Sequence, residues 1–163
     1  MKKTLFLTLI FSNLIFSQNI DFEGFMNFSY SNNSGEIHLE VNNLDKEFLY
    51  INSLSRGIGN NDLGLDRGQL GNTRIVFFTK RGNKILMVQP NTRYVSNSDN
   101  YLENKAVEEA FARSVLFSFE IIEEKNNNYI IDLTPLLIND AHGVSQRLRF
   151  SNSGNYSLNK SMS

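Results

Sequence analysis

The sequence predicts an α+β domain: a mainly antiparallel, twisted β-sheet built from hairpins, with one principal helix over about residues 100–115 packed across it. Three observations predict it. Apolar and polar residues alternate along Ile37-His38-Leu39-Glu40-Val41, the period of two that sets one strand face against a core. Short apolar runs are joined by turn chemistry at residues 31–35, 80–83 and 126–128, and strands joined by tight turns pair antiparallel. One segment alone changes to helical spacing, behind a capping pair at Asn100 and Glu103.

The elements follow in chain order. Met1-Lys2-Lys3 is basic, residues 4–16 are largely apolar, and the composition turns polar after Ser17. That pattern reads as a secretory signal peptide over residues 1–17; the apolar run is shorter than the ~20 residues needed to span a bilayer. The protein is therefore expected to be exported to the periplasm, outer surface or medium, with no stable membrane span once the signal is removed. Residues 18–150 are expected to form the β-rich domain.

Phe22, Phe25, Phe28 and Tyr30 precede the turn Ser31-Asn32-Asn33-Ser34-Gly35, so residues 22–41 read as a hairpin. Residues 48–54 are a further strand. Residues 74–79 and 84–89 flank Lys80-Arg81-Gly82-Asn83, where Gly and Asn can take positive φ. Residues 116–123 and 129–133 flank an Asn-rich turn. In the helix, Val107, Ala110, Phe111 and Ser114 share a face, while Glu103, Glu108 and Glu109 point to water. Asp140-Ala141-His142-Gly143 is a turn before a short helix through Leu148, with Asp140 as its cap and His142 as a turn residue. Residues 151–163 form a polar tail, read as the truncated start of a following region.

Composition excludes several functions. The 163 residues carry 16 Lys plus Arg against 17 Asp plus Glu, a net charge of −1, which gives no electrostatic case for nucleic acid. With no cysteine there is no disulfide, thiolate metal site or Cys nucleophile.

Half of the chain's 10 glycines lie at Gly57, Gly59, Gly64, Gly68 and Gly71. Gly57-x-Gly59 lacks the third glycine and the following helix of a phosphate loop, where backbone N–H groups meet the anion. Asn60, Asp62 and Asp66 are calcium candidates by oxygen content, although their spacing matches no EF-hand. The structural reading gives the glycines to tight turns, with Asp62, Asp66 and Arg67 as loop residues. His38-Leu39-Glu40 has the H-x-E form of a zinc deaminase without its cysteines, and reads as an exposed pair on a strand. Gly143-Val144-Ser145-Gln146-Arg147 lacks the final glycine of a nucleophile elbow. Adjacent Glu108-Glu109 and Glu123-Glu124 diverge and form no catalytic dyad. No H-E-x-x-H occurs.

Several segments, in order and spacing, carry a resemblance. They are Phe22-Glu23-Gly24-Phe25, Leu44-Asp45-Lys46-Glu47-Phe48-Leu49-Tyr50 and the glycine loop through Leu70-Gly71. Further along stand Val88-Gln89-Pro90-Asn91-Thr92-Arg93-Tyr94, the helix with Glu108-Glu109-Ala110-Phe111, Asp140-Ala141-His142-Gly143-Val144, and Tyr156-Ser157-Leu158-Asn159-Lys160-Ser161. Together they resemble the uncharacterised, non-catalytic domain near the N-terminus of large secreted bacterial zinc-dependent metalloproteases. In those proteins a metzincin-like catalytic domain with H-E-x-x-H lies downstream.

The resemblance implies that zinc belongs to the parent protein, with no cofactor and no catalytic or metal residue in this chain. It also implies the parent's catalytic domain as a partner, and a peptide or protein as a possible substrate. The competing expectation is a free-standing exported binding module that uses the 57–71 loop, with or without calcium.

Overall fold

The computed structural model describes residues 19–58 and 60–158. The expected signal segment, Gly59 and the last residues of the tail lie outside the described residues.

Among the described residues, eight antiparallel strands form one curled sheet in the order β1-β2-β3-β8-β7-β6-β5-β4. They are β1 (Asn19–Phe22), β2 (Phe28–Ser31), β3 (Ile37–Val41), β4 (Phe48–Tyr50), β5 (Arg74–Arg81), β6 (Lys84–Gln89), β7 (Ser114–Lys125) and β8 (Asn128–Asp132). The turns use the residues the sequence offered. Arg81 pairs with Lys84 across Gly82-Asn83, with Gly82 at φ +61°. Lys125 pairs with Asn128 across Asn126 and Asn127, both at positive φ, as a primed hairpin turn needs. The aromatic run before residue 31 divides into two strands, and Phe22 stacks on Phe28 across the β1–β2 pair at 4.6 Å.

Alternation along the strands places Leu39, Val41, Val76, Phe78, Ile85, Met87, Phe119, Tyr129 and Ile131 in one buried cluster on the inner face. The register of β7 shifts against β6 at Met87/Val88 and against β8 at Ile121/Glu123. Such irregularities bend a strand and sharpen its twist, which curls this sheet around its core. The curl brings the two sheet ends together: the Phe25 ring, in the β1–β2 turn, lies edge-on to Phe48 of β4 at 6.1 Å.

Three short helices complete the described residues: α1 (Tyr101–Ala110), α2 (Thr134–Leu137) and α3 (Val144–Phe150). The β-rich antiparallel architecture agrees with the sequence reading; the principal helix differs from it. Asn100 does cap α1, its side chain accepting from the Leu102 N–H, but the helix stops at Ala110 and Ser114 already belongs to β7. Nor is α1 laid across the sheet, since it buries no residue. Its C-terminal side is held instead by Phe111, which stacks on Tyr94 at 4.1 Å. The physical reason is that strand β7 claims Val115, Leu116 and Phe117, the residues that would have continued the apolar stripe.

Candidate functional site

The glycine-rich segment is an extension of the sheet rather than a free loop. Residues 52–58 run antiparallel to residues 65–71. Backbone N–H groups of Leu54, Ile58, Gly68 and Gly71 donate to the carbonyls of Gln69, Leu65, Leu54 and Asn52 respectively. Ser53 faces Leu70 as an isolated bridge. This ladder prolongs the β4–β5 pair, and a one-turn 3-10 helix, Asn61–Leu63, closes its tip.

The glycines serve two different needs. Gly64 and Gly68 stand at φ +59° and +81°, in the left-handed region where a Cβ is costly. Gly57 and Gly71 are there for space: a Cβ on Gly57 would lie 2.8 Å from the Arg67 backbone N, and one on Gly71 would overlap the Asn52 carboxamide. Leu65 is completely buried beneath the hairpin and anchors it.

The calcium candidates make local bonds. The Asn60 carboxamide oxygen accepts from the Asp62 N–H at 3.0 Å, and the Asp66 carbonyl accepts from the Gln69 N–H. Among the described residues, no group of three or more His, Asp or Glu side chains converges as a metal-binding cluster.

The Asp140-Ala141-His142-Gly143 turn comes against this hairpin. Gly143 takes φ +63°, and the Asp140 carboxylate accepts from the N–H groups of Val144 and Ser145 at 2.7 and 3.0 Å. Partial burial alone would raise the Asp140 pKa. The N–H bonds from Ser145 and Val144, the Ser145 hydroxyl and the nearby His142 outweigh it and hold the carboxyl below its ordinary value. The Asn52 amide donates to His142 Nε2 at 3.1 Å, tying the turn to the base of the hairpin. One helical turn further, Arg147 Nη1 donates to the carbonyls of Leu63 and Gly64, tying α3 to the hairpin tip.

Between the outer arm of the hairpin, α2 and the chain beyond α3 lies a cleft of about 600 Å³. Its walls include Tyr50, Ile51, Ser53, Leu137, His142 and Tyr156. Tyr156, Ser157 and Leu158, without regular structure, line one part of its wall, and the Tyr156 carbonyl accepts from the Ser145 hydroxyl at 3.2 Å. This part of the polar tail is therefore docked on the domain.

Thus Gly57, Asp62, Gly64, Asp66, Arg67, Gly68 and Gly71 share one hairpin, and Asp140, His142 and Gly143 form the turn against it. Asn52, Leu65 and Arg147 were not singled out from the sequence. Their partners lie up to 90 residues away, and no local pattern announces such pairs. His38 and Glu40 are half-buried rather than exposed, and they serve different partners. His38 lies 3.6 Å from Glu36, whereas Glu40 accepts from the Asn27 and Asn128 amides and links β3 to its surroundings.

A second depression, about 910 Å³, lies between α1 and Phe77, and the Arg113–Glu108 ion pair stands among its lining residues. It holds none of the turn or hairpin residues. The model of a family described as "Domain of unknown function (DUF5117)" matches residues 68–163, from the second hairpin arm to the end of the chain. No curated protein and no solved structure matches the chain.

Proposed function

The chain belongs to the DUF5117 family, and from that premise we propose that it is the non-catalytic N-terminal module of a secreted zinc-dependent metalloprotease. In this reading the chain is a fragment of the parent and lacks its catalytic domain. The observation that carries the proposal is spatial. Three segments of the resemblance, far apart in sequence, meet around one cleft: the glycine hairpin, the Asp140-Ala141-His142-Gly143 turn and the Tyr156-Ser157-Leu158 stretch. A face assembled from such segments suits docking of polypeptide, whether the parent's catalytic domain or a peptide or protein substrate. Loops and turns fixed on a sheet commonly carry recognition.

Peptide-bond hydrolysis, with zinc and the H-E-x-x-H glutamate, is assigned to the downstream domain of the parent. The residues of this chain bind and position. Intact mass of the native secreted product, captured with an antibody to this domain, tests the reading. A species several times 18.7 kDa is expected. A species near the mass of residues 18–163 would overturn it in favour of a free-standing exported binding module acting through the same hairpin.

A further inference from the structure

We propose that the loop carrying α1 is a proteolytic processing site, where an endopeptidase hydrolyses a peptide bond within residues 100–106 while the sheet on either side stays folded. The attachment of the loop supports this first. Residues 95–110 leave the domain and return at one neck, where Tyr94 stacks on Phe111 at 4.1 Å and the Asn91 amide donates to the carbonyls of both. Beyond that neck the bonds stay inside the loop. The Asn104 amide donates to the Ser98 carbonyl, and Lys105 pairs with Glu109. Glu108 reaches only Arg113, just past the neck. Among the described residues, no hydrogen bond or ion pair joins residues 95–110 to any residue outside 91–113.

The cost of opening supports it next. An endopeptidase acts on backbone that has opened from its folded form, so the segment with the cheapest local unfolding is cut first. Helix α1 has 10 residues and buries none of them, and a helix that short is marginal without packing. Tyr101 and Leu102 are 71% and 70% exposed. Exposure alone would choose Phe25 and Phe150, at 81% and 82%, but both are tied down. Phe25 lies on Phe48 between the bonded residues Gly24 and Asn27, and Phe150 ends a helix seated by buried Val144 and by Arg147. Hydrolysis breaks the C–N bond: water's oxygen goes to the carbonyl carbon and both its hydrogens end on the nitrogen, leaving a carboxylate and an ammonium. The cut falls in the connection between β6 and β7, whose pairing, with that of β3 and β8, holds the two halves together. It also frees the α1 side of the 910 Å³ depression, which Asn104, Val107 and Glu108 line.

The test uses the full chain and two probe enzymes, with fragment masses read at early times. Between residues 19 and 150 a lysine-specific endopeptidase can choose among Lys46, Lys80, Lys84, Lys105 and Lys125, and Lys105 should be cut first. Chymotrypsin should cut at Tyr101 or Leu102 before Phe25 or Phe150. The nicked chain should still elute as one species. First cuts elsewhere between residues 19 and 150 would overturn the proposal, and so would separation of the halves. Two variants distinguish local from global opening. Asn100→Ala removes the cap on the Leu102 N–H and should speed the cut about fivefold. Arg147→Ala weakens the distant hairpin and should leave the rate unchanged. Equal acceleration in both, or none in Asn100→Ala, would also overturn the site, since α1 would then open only with the whole domain.

Discussion

The Arg147 guanidinium donates to the carbonyls of Leu63 and Gly64 at 3.1 and 2.9 Å, so α3 grips the tip of a hairpin more than 80 residues earlier in the chain. The 3-10 turn at that tip leaves carbonyls without helical partners, and a cation supplies the missing donor. Arg147→Ala should lower stability by about 1.5 kcal/mol, the low end for a charged hydrogen bond because the contact is exposed. Urea unfolding measures the loss. Amide exchange at Ile58, whose N–H closes the hairpin on Leu65, should accelerate, and unchanged exchange would mean the hairpin holds itself.

Gly57 and Gly68 should respond differently to the same methyl group. Gly68→Ala meets open space and suffers only its positive φ, a cost of about 1 kcal/mol. Gly57→Ala forces a Cβ against the backbone of the opposite arm and should cost about 1–3 kcal/mol, as other overpacked sites do. Thermal melting of both variants checks the order, and Gly68→Ala as the more damaging change would refute it.

Asp140 gives the site a pH dependence of defined sign. Its folded pKa is depressed, so the unfolded chain binds more protons as the carboxyl titrates. Its contribution is present above the ordinary carboxylate value, ~3.9, and is lost as pH falls through the folded value. Gly143, not Asp140, is the N-cap of α3, but the Asp140 carboxylate still satisfies two of its free N–H groups, so Asp140→Ala should cost about 1 kcal/mol at neutral pH, as losing a capping side chain does. Denaturation at a series of pH values should show the gap to the unaltered chain closing below about pH 4.

Leu102, 70% exposed on α1, should tolerate Leu102→Gln with a change within about 0.5 kcal/mol. Urea midpoints measure it. A larger loss would restore the expectation that α1 packs on the domain.

What the sequence disclosed was local. Ile37, Leu39 and Val41 alternate visibly, and Gly82-Asn83 and Asn126-Asn127 mark turns whose geometry demands those residues. The end of α1 was hidden because Val115, Leu116 and Phe117 fit a helical stripe as well as a strand, and pairing with β6 decides for the strand. At the site, a glycine kept for positive φ, as Gly64, and one kept for close approach, as Gly57, look identical in sequence. Their division appears only once both hairpin arms are in place. The bonds of Asn52 to His142 and of Arg147 to Leu63 are set by tertiary fold alone.

The sheet order places β3 beside β8, pairing His38 with Asp132 and Val41 with Tyr129. A ribosome therefore releases the first three strands long before their neighbour exists. At ~5–20 residues per second, the intervening stretch of about 90 residues takes roughly 5 to 20 s to make. Throughout that interval Leu39 and Val41 have no β8 to cover them. Nucleation is therefore expected in the β5–β6–β7 meander, whose contacts are near in sequence, with the N-terminal hairpins joining later across the β3–β8 closure. A single exchange-quench experiment on refolding chains should find amides of β6 protected before those of β3.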